Sequence, residues 1–258
     1  MARGTWRPAT VLALVVGIGW AHAAGAHFLE LLPSTDIVPE QGERQVTLTA
    51  AFTHPMERGP VLELGRPLRF GVVTGGRTSD LGAALTPKPM DGHQTWEAAY
   101  KIGAPGDYLF FLEPAPYWEA AEKKWLIHDA KVVVDFGAGS GWERPVGLPM
   151  EILPLSRPYG LWTGNLFRAV ALKDGLPLPG AMVEVEWAND GSVMPPADPF
   201  ITQVVRTDAG GIFAYALPRA GWWGFTVLAE GPAAAAPDGS PARTELGGTI
   251  WVKAVDMK

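Results

Sequence analysis

Apolar and polar positions alternate along most of this chain with a period of two. Val46, Leu48, Ala50 and Phe52 alternate with Thr47, Thr49 and Ala51, which predicts a strand with one buried face. Phe28 to Leu32 reads as a shorter strand ahead of it, and Leu68 to Val73, Trp96 to Ile102 and Asp107 to Leu112 as strands after it. His128, Ala130, Val132, Val134 and Phe136 share one face of a further run, which predicts a strand starting at His128. Before it, residues 114–126 form an aromatic and charged connection with room for one helical turn. No stretch carries the 3.6-residue period of a long helix.

A glycine-rich break follows at residues 137–141, and the pattern resumes in Met150 to Pro154, Leu166 to Leu172, Ala181 to Trp187, Val204 to Thr207, Phe213 to Leu217, Trp222 to Leu228 and Thr249 to Val252. Asp208-Ala209-Gly210-Gly211 has the chemistry of a hairpin turn. Residues 231–243 read as a small-residue loop. The expected fold is all-β, with two consecutive Ig-like β-sandwich domains over residues 27–147 and 148–258.

Residues 1–26 are organised differently. Arg3 and Arg7 precede an apolar run from Val11 to Trp20, and small residues end in Ala24-Gly25-Ala26. This is the layout of a cleaved secretory signal, with a run too short to span a bilayer. The first mature residue would be His27, in a chain exported to the periplasm without membrane insertion.

Composition changes this picture in three ways. Among the 258 residues, 31 Gly, 24 Pro and 11 Trp suit short strands and turns. With Arg3 and Arg7 removed, 19 of the 21 basic residues face 27 acidic ones, a balance of −8 that disfavours nucleic acid as a partner. The chain has no Cys, which excludes disulfides, thiol chemistry and lipid attachment through cysteine. Gly-x-Ser-x-Gly, phosphate-loop and His-Glu-x-x-His patterns are also absent, so no enzyme activity is expected.

The candidate chemistry lies in the histidines. Cleavage before His27 creates an α-amine beside an imidazole, a two-nitrogen chelate on one residue. His54 ends one strand on its apolar face, with Pro55 holding it extended, and His128 begins another. In an antiparallel sheet the end of one strand lies beside the start of its neighbour, so His27, His54 and His128 are expected to meet at one edge of the first sandwich. His93, in Asp91-Gly92-His93-Gln94, reads as a solvated turn residue. Imidazole and amine nitrogens without thiolates favour nickel, copper or zinc. Glu30, Glu57 and Asp129 are nearby carboxylates able to orient an imidazole, and Tyr117, Trp118 and Trp125 are candidates for a lid.

The runs Pro114-Ala-Pro-Tyr-Trp-Glu, His128 followed by Lys131-Val-Val-Val, Glu151-Ile-Leu-Pro-Leu-Ser-Arg-Pro-Tyr-Gly-Leu-Trp, Gly164-Asn165 and Ala220-Gly-Trp-Trp-Gly-Phe resemble the NikK family. That family supplies the additional periplasmic component of energy-coupling-factor (ECF) type nickel transporters, within a broader family of domains of unknown function. The resemblance implies a periplasmic Ni(II)-binding protein with His27, His54 and His128 as metal residues and the transporter's membrane subunits as partners. Co(II) and Cu(II) are the alternative metals. The rival functions are a copper protein with a histidine brace and a non-metal structural or adhesive sandwich. The second unit, through Gly175-Leu-Pro-Leu-Pro-Gly-Ala, looks like the small sandwich appended to carboxypeptidases.

Overall fold

Alternating side chains make a strand only when a second layer covers one face, and three sheets provide those layers here. The computed structural model describes residue 1, residues 27–137 and residues 139–258. The expected signal segment and its cleavage junction lie outside the described residues.

A first four-stranded sheet pairs Phe28–Pro33 antiparallel with Gln45–Thr53, placing Phe28 opposite Thr53. It continues through Trp96–Lys101 to Thr86–Pro87. A second four-stranded sheet is built on Leu166–Lys173, flanked by Met150–Pro154 and Ile212–Ala216, with Leu176–Pro177 at its end. The third sheet is long. Its strands run in the order Gln203–Arg206, Met182–Trp187, Gly221–Glu230, Pro241–Val255, Lys124–Phe136, Gly106–Glu113, Arg69–Thr74, Arg77–Asp80. Among the described residues the helical pieces are the 3-10 turns Gly82–Ala84 and Asp198–Phe200. No helix is long and apolar enough to cross a membrane.

The two sandwiches share this long sheet. Along Pro241–Val255, Trp251 enters one core with Phe28, Phe110 and Val132, whereas Ile250, Val252 and Ala254 enter the other with Phe167, Phe213 and Phe225. Successive side chains of a strand point to opposite faces, so the two small sheets cover opposite faces of the long one. Trp251 is fully buried, and its indole N–H donates to the Leu29 carbonyl at 2.9 Å, fastening the C-terminal strand to the first small sheet.

Three expectations need correction. The strand expected to start at His128 starts at Lys124, because Tyr117–Glu119 folds back on its first turn with Trp118 opposite Trp125. His128 is therefore interior to a strand, and residues 114–126 hold a small hairpin rather than a helical turn. The final strand, expected over residues 249–252, spans Pro241–Val255 and carries Gly247 and Gly248 in its middle.

Gly248 marks where the second small sheet presses on the long one. A Cβ there would lie 2.6 Å from the Met150 carbonyl carbon and 2.7 Å from its oxygen, and backbone cannot step aside as a side-chain tip can. Gly248→Ala is therefore expected to cost about 2 kcal/mol in denaturant unfolding, by the usual magnitude of overpacking. Gly103→Ala, whose Cβ would meet nothing within 4 Å, is the near-neutral control.

Candidate metal centre

The antiparallel pairing of the first two strands carries His27 and His54 to the same place. With Phe28 opposite Thr53, the residues just beyond face each other, and the imidazoles stack at 4.6 Å between centroids, tilted by 55°. Both are buried, at 8% and 7% exposure. His128, at 2%, reaches the same region from the facing long sheet rather than from the same edge. Phe52 stands between them, with its ring 5.6 Å from His27 and 5.7 Å from His128.

Each imidazole has defined neighbours. Nδ1 of His128 lies 2.9 Å from the His27 carbonyl oxygen, and Nε2 lies 3.2 Å from Oε1 of Glu245. Both of these neighbours are acceptors, and the tautomer of the ring decides which of its two nitrogens donates. The Glu245 carboxylate is fixed in turn by Lys124, whose Nζ is 2.8 Å from its Oε2 and 2.8 Å from Glu122. The ring rests on Gly247, its partner in the parallel register, where a Cβ would lie 2.6 Å from Cγ and Cδ2 of the imidazole. His27 Nε2 faces Glu119 at 3.3 Å, and His54 Nδ1 faces Glu57 at 3.9 Å.

Electrostatics separates the groups. Burial, reinforced by His54, His128 and Lys124, lowers His27 to about 3, so its imidazole is neutral at neutral pH and has a lone pair to offer. Burial alone would raise Glu245. Hydrogen bonds from His128 and Lys124 outweigh that and hold it at about 2, an ionised carboxylate.

Among the described residues, no three His, Asp or Glu side chains converge as a metal-binding group. The arrangement supplies a close pair, His27 and His54, with His128 bonded to the backbone of the first. Donor chemistry and the neutral state of His27 fit a borderline divalent ion.

The other expectations divide. Glu57 lies 3.9 Å from His54 Nδ1, beyond hydrogen-bond distance. Asp129 points to the opposite side of its strand, accepting from the Met150 N–H at 3.2 Å, and burial raises it to about 7. His93 is in an exposed turn beside Glu63 and joins no cluster. Tyr117 packs edge-on against Phe52, whose ring in turn contacts His27 and His128. Trp118 and Trp125 instead pair with each other, with the Trp125 N–H donating to the Ala235 carbonyl. Glu119 and Glu245, the carboxylates closest to His27 and His128, escape sequence reasoning because no local motif frames them.

The His54 turn is braced by the second unit. Glu186 accepts from the Met56 N–H at 3.0 Å and from Thr202 at 2.5 Å, while the Asn189 side chain donates to the Met56 carbonyl.

The family model described as a domain of unknown function (DUF4198) matches residues 24–231. The chain belongs to the DUF4198 family. No curated protein matches it. Solved structures with similarity include a bacterial ice-binding adhesin concerned with host cell surface retention, at 11% identity over 83% of this chain and 58% of that one, with a TM-score of 0.25. Fibronectin(III)-like modules of Clostridium thermocellum CbhA match at 12% identity over 87% and 95% of the two chains, with a TM-score of 0.19. Titin domains A168-A170 match at 9% over 83% and 60%, with a TM-score of 0.21. This chain thus spans 58% of the adhesin structure. For this DUF4198 chain the β-sandwich assignment rests on its own strand pairing.

Burial pushes Glu186 up to about 7 from its ordinary 4.5, against the hydrogen bonds from Thr202 and Met56. The folded state therefore holds this proton more tightly than the unfolded chain does. The resulting stabilisation is complete below pH 4.5 and is lost as the pH rises through 7. Glu186→Gln should remove on the order of 3 kcal/mol of the stability difference between pH 4 and pH 8. Chemical denaturation across that range checks this, and an unchanged slope contradicts it.

Proposed function

We propose that this DUF4198 chain captures a divalent transition metal ion, Ni(II) in the first place, in the periplasm and passes it to the membrane subunits of an ECF-type nickel transporter. The observation that carries the capture step is the buried His27 and His54 pair, 4.6 Å apart, with the His128 ring bonded to the His27 backbone. Processing before His27 would add an α-amine to the neutral imidazole of the same residue. That amine, the His27 and His54 rings, and His128 after release of one of its acceptors make a nitrogen-rich set suited to Ni(II), Co(II) or Cu(II). The nickel assignment and the transporter partner are supported by the NikK resemblance of the Pro114 to Glu119, Glu151 to Trp162 and Ala220 to Phe225 runs.

In this reading the metal is cargo, and the chain's work is binding and release. Tyr117 and Phe52 limit water access, and the charged carboxylates keep an attractive field around neutral nitrogens. Because an α-amine must lose its proton to bind, capture weakens as the pH falls below about 7.7, the ordinary value for that group.

Calorimetric titration of the exported protein with Ni(II), with Cu(II) in competition, tests the reading together with metal analysis of periplasmic material. His54→Ala is expected to weaken Ni(II) binding by about 100-fold or more, and a single extra residue before His27 to weaken it at least about tenfold. Copper with no nickel in the isolated protein would establish the copper reading instead. No metal, with affinity unaffected by His54→Ala, would leave the sandwich as a structural or adhesive protein.

A further inference from the structure

His128 has two sides. Toward Phe52, Tyr117, Leu126 and the Pro114 to Pro116 segment there is a void of about 20 Å³, room for roughly one water and too small to hold a hydrated ion. On the other side Glu245 touches the ring, and Glu245 also lines a cavity of about 350 Å³. Exposed Arg243 and Glu230 stand at its rim, Met182, Leu228 and Ala229 form its apolar wall, and Lys124 lies beside Glu245. Glu245 both lines this cavity and contacts His128 through its side chain.

Resting on the metal-capture reading above, we propose that this cavity is the entrance through which the divalent cation reaches the histidines. Glu245 is the transfer residue, and the Lys124 ammonium is a resident cation that the ion displaces. Three observations carry this. First, Lys124 is held at 2.8 Å by both Glu122 and Glu245, so a positive charge already occupies the space between two carboxylates at the inner end of the cavity. A divalent ion can take that position because Lys124 remains paired with Glu122 after leaving Glu245. Second, the order of donors from outside inward is carboxylate, then imidazole. A borderline transition ion binds nitrogen better than carboxylate oxygen, so the step from Glu245 to His128, across 3.2 Å, runs toward the stronger ligand. Third, movement of Glu245 toward an arriving ion breaks its contact with Nε2 of His128, and the proton that nitrogen holds passes to cavity water, leaving a lone pair for the ion.

The proposal concerns the rate of capture, which distinguishes it from a structural role for these side chains. Stopped-flow tryptophan fluorescence with Ni(II) added to the exported protein reads association, and calorimetry reads the equilibrium. Glu245→Gln keeps an oxygen for His128 but removes the charge, and should slow association by about tenfold while slowing dissociation as well. Lys124→Met keeps the aliphatic stem, and Arg243→Gln removes a cation at the rim. Each should speed association several-fold at low salt, with the Arg243 effect vanishing at high ionic strength. If Lys124→Met fails to fold, Glu122→Gln, which removes the partner Lys124 keeps on leaving Glu245, should slow association several-fold instead. Association constants within about twofold of wild type for all these variants would overturn the entrance. So would a Glu245→Gln protein whose affinity falls without slower association, since Glu245 would then only support His128. Absence of Ni(II) binding by the unaltered protein overturns the capture reading itself, and is seen before any variant is made.

Discussion

The structure depends on the parallel pairing of its last strand with the strand that bears His128. Nine residue pairs, from Arg243 opposite Lys124 to Trp251 opposite Val132, join segments more than a hundred positions apart. Parallel neighbours need a long crossover, and here everything from Gly137 to Ser240 serves as that connection. The pairing produces the long sheet, sends Trp251 into one core and Ile250 into the other, and places Glu245 and Gly247 beside the imidazole of His128. Without the last strand the first sandwich lacks Trp251, and His128 lacks both its support and its carboxylate.

This dependence shows in the two consecutive glycines of that strand. Gly247 leaves space for an imidazole on one face, and Gly248 leaves space for the Met150 backbone on the other. Glycine inside a strand loses side-chain packing and backbone entropy, and is tolerated where another group must come close. Each face of this strand has such a neighbour, so the pair is a consequence of sharing one sheet between two sandwiches. The bracing of the His54 turn by Glu186 and Asn189 follows the same logic, because residues of the second unit hold the geometry of a histidine in the first.

Strands were readable because period-two alternation is local, and the His27 and His54 pair was readable for a related reason. Their strands are close in sequence and antiparallel, so proximity of start and end follows from chain direction. His128 was legible as a buried residue on its strand, but not as a member of the facing sheet. That depends on pairing with residues 243–251, about which alternation says nothing. The alternation in sequence starts only at Thr249, after Gly247-Gly248, and the space these glycines leave is visible only with their neighbours present. Glu119 and Glu245 were illegible for the plainest reason: an ionised Glu in sequence reads as solvated surface, and only packing shows that Glu245 is shared by Lys124 and His128.

Burial and hydrogen bonding act in opposite directions on the charged and neutral groups around the histidines. Removing several imidazoles from water favours their neutral forms, as with His27, and neutral nitrogens in a confined space compete for protons and for metal ions alike. A carboxylate held ionised at the same place has the opposite effect, since it attracts any cation. In this fold the two are adjacent but separated in depth, with Glu245 and Lys124 on the cavity side and the histidines within. The field that draws a cation thus lies outside the nitrogens that would retain it. Paired strands and the two glycines fix that order in space, so selection by the inner donors can follow attraction by the outer ones without large movement of the backbone.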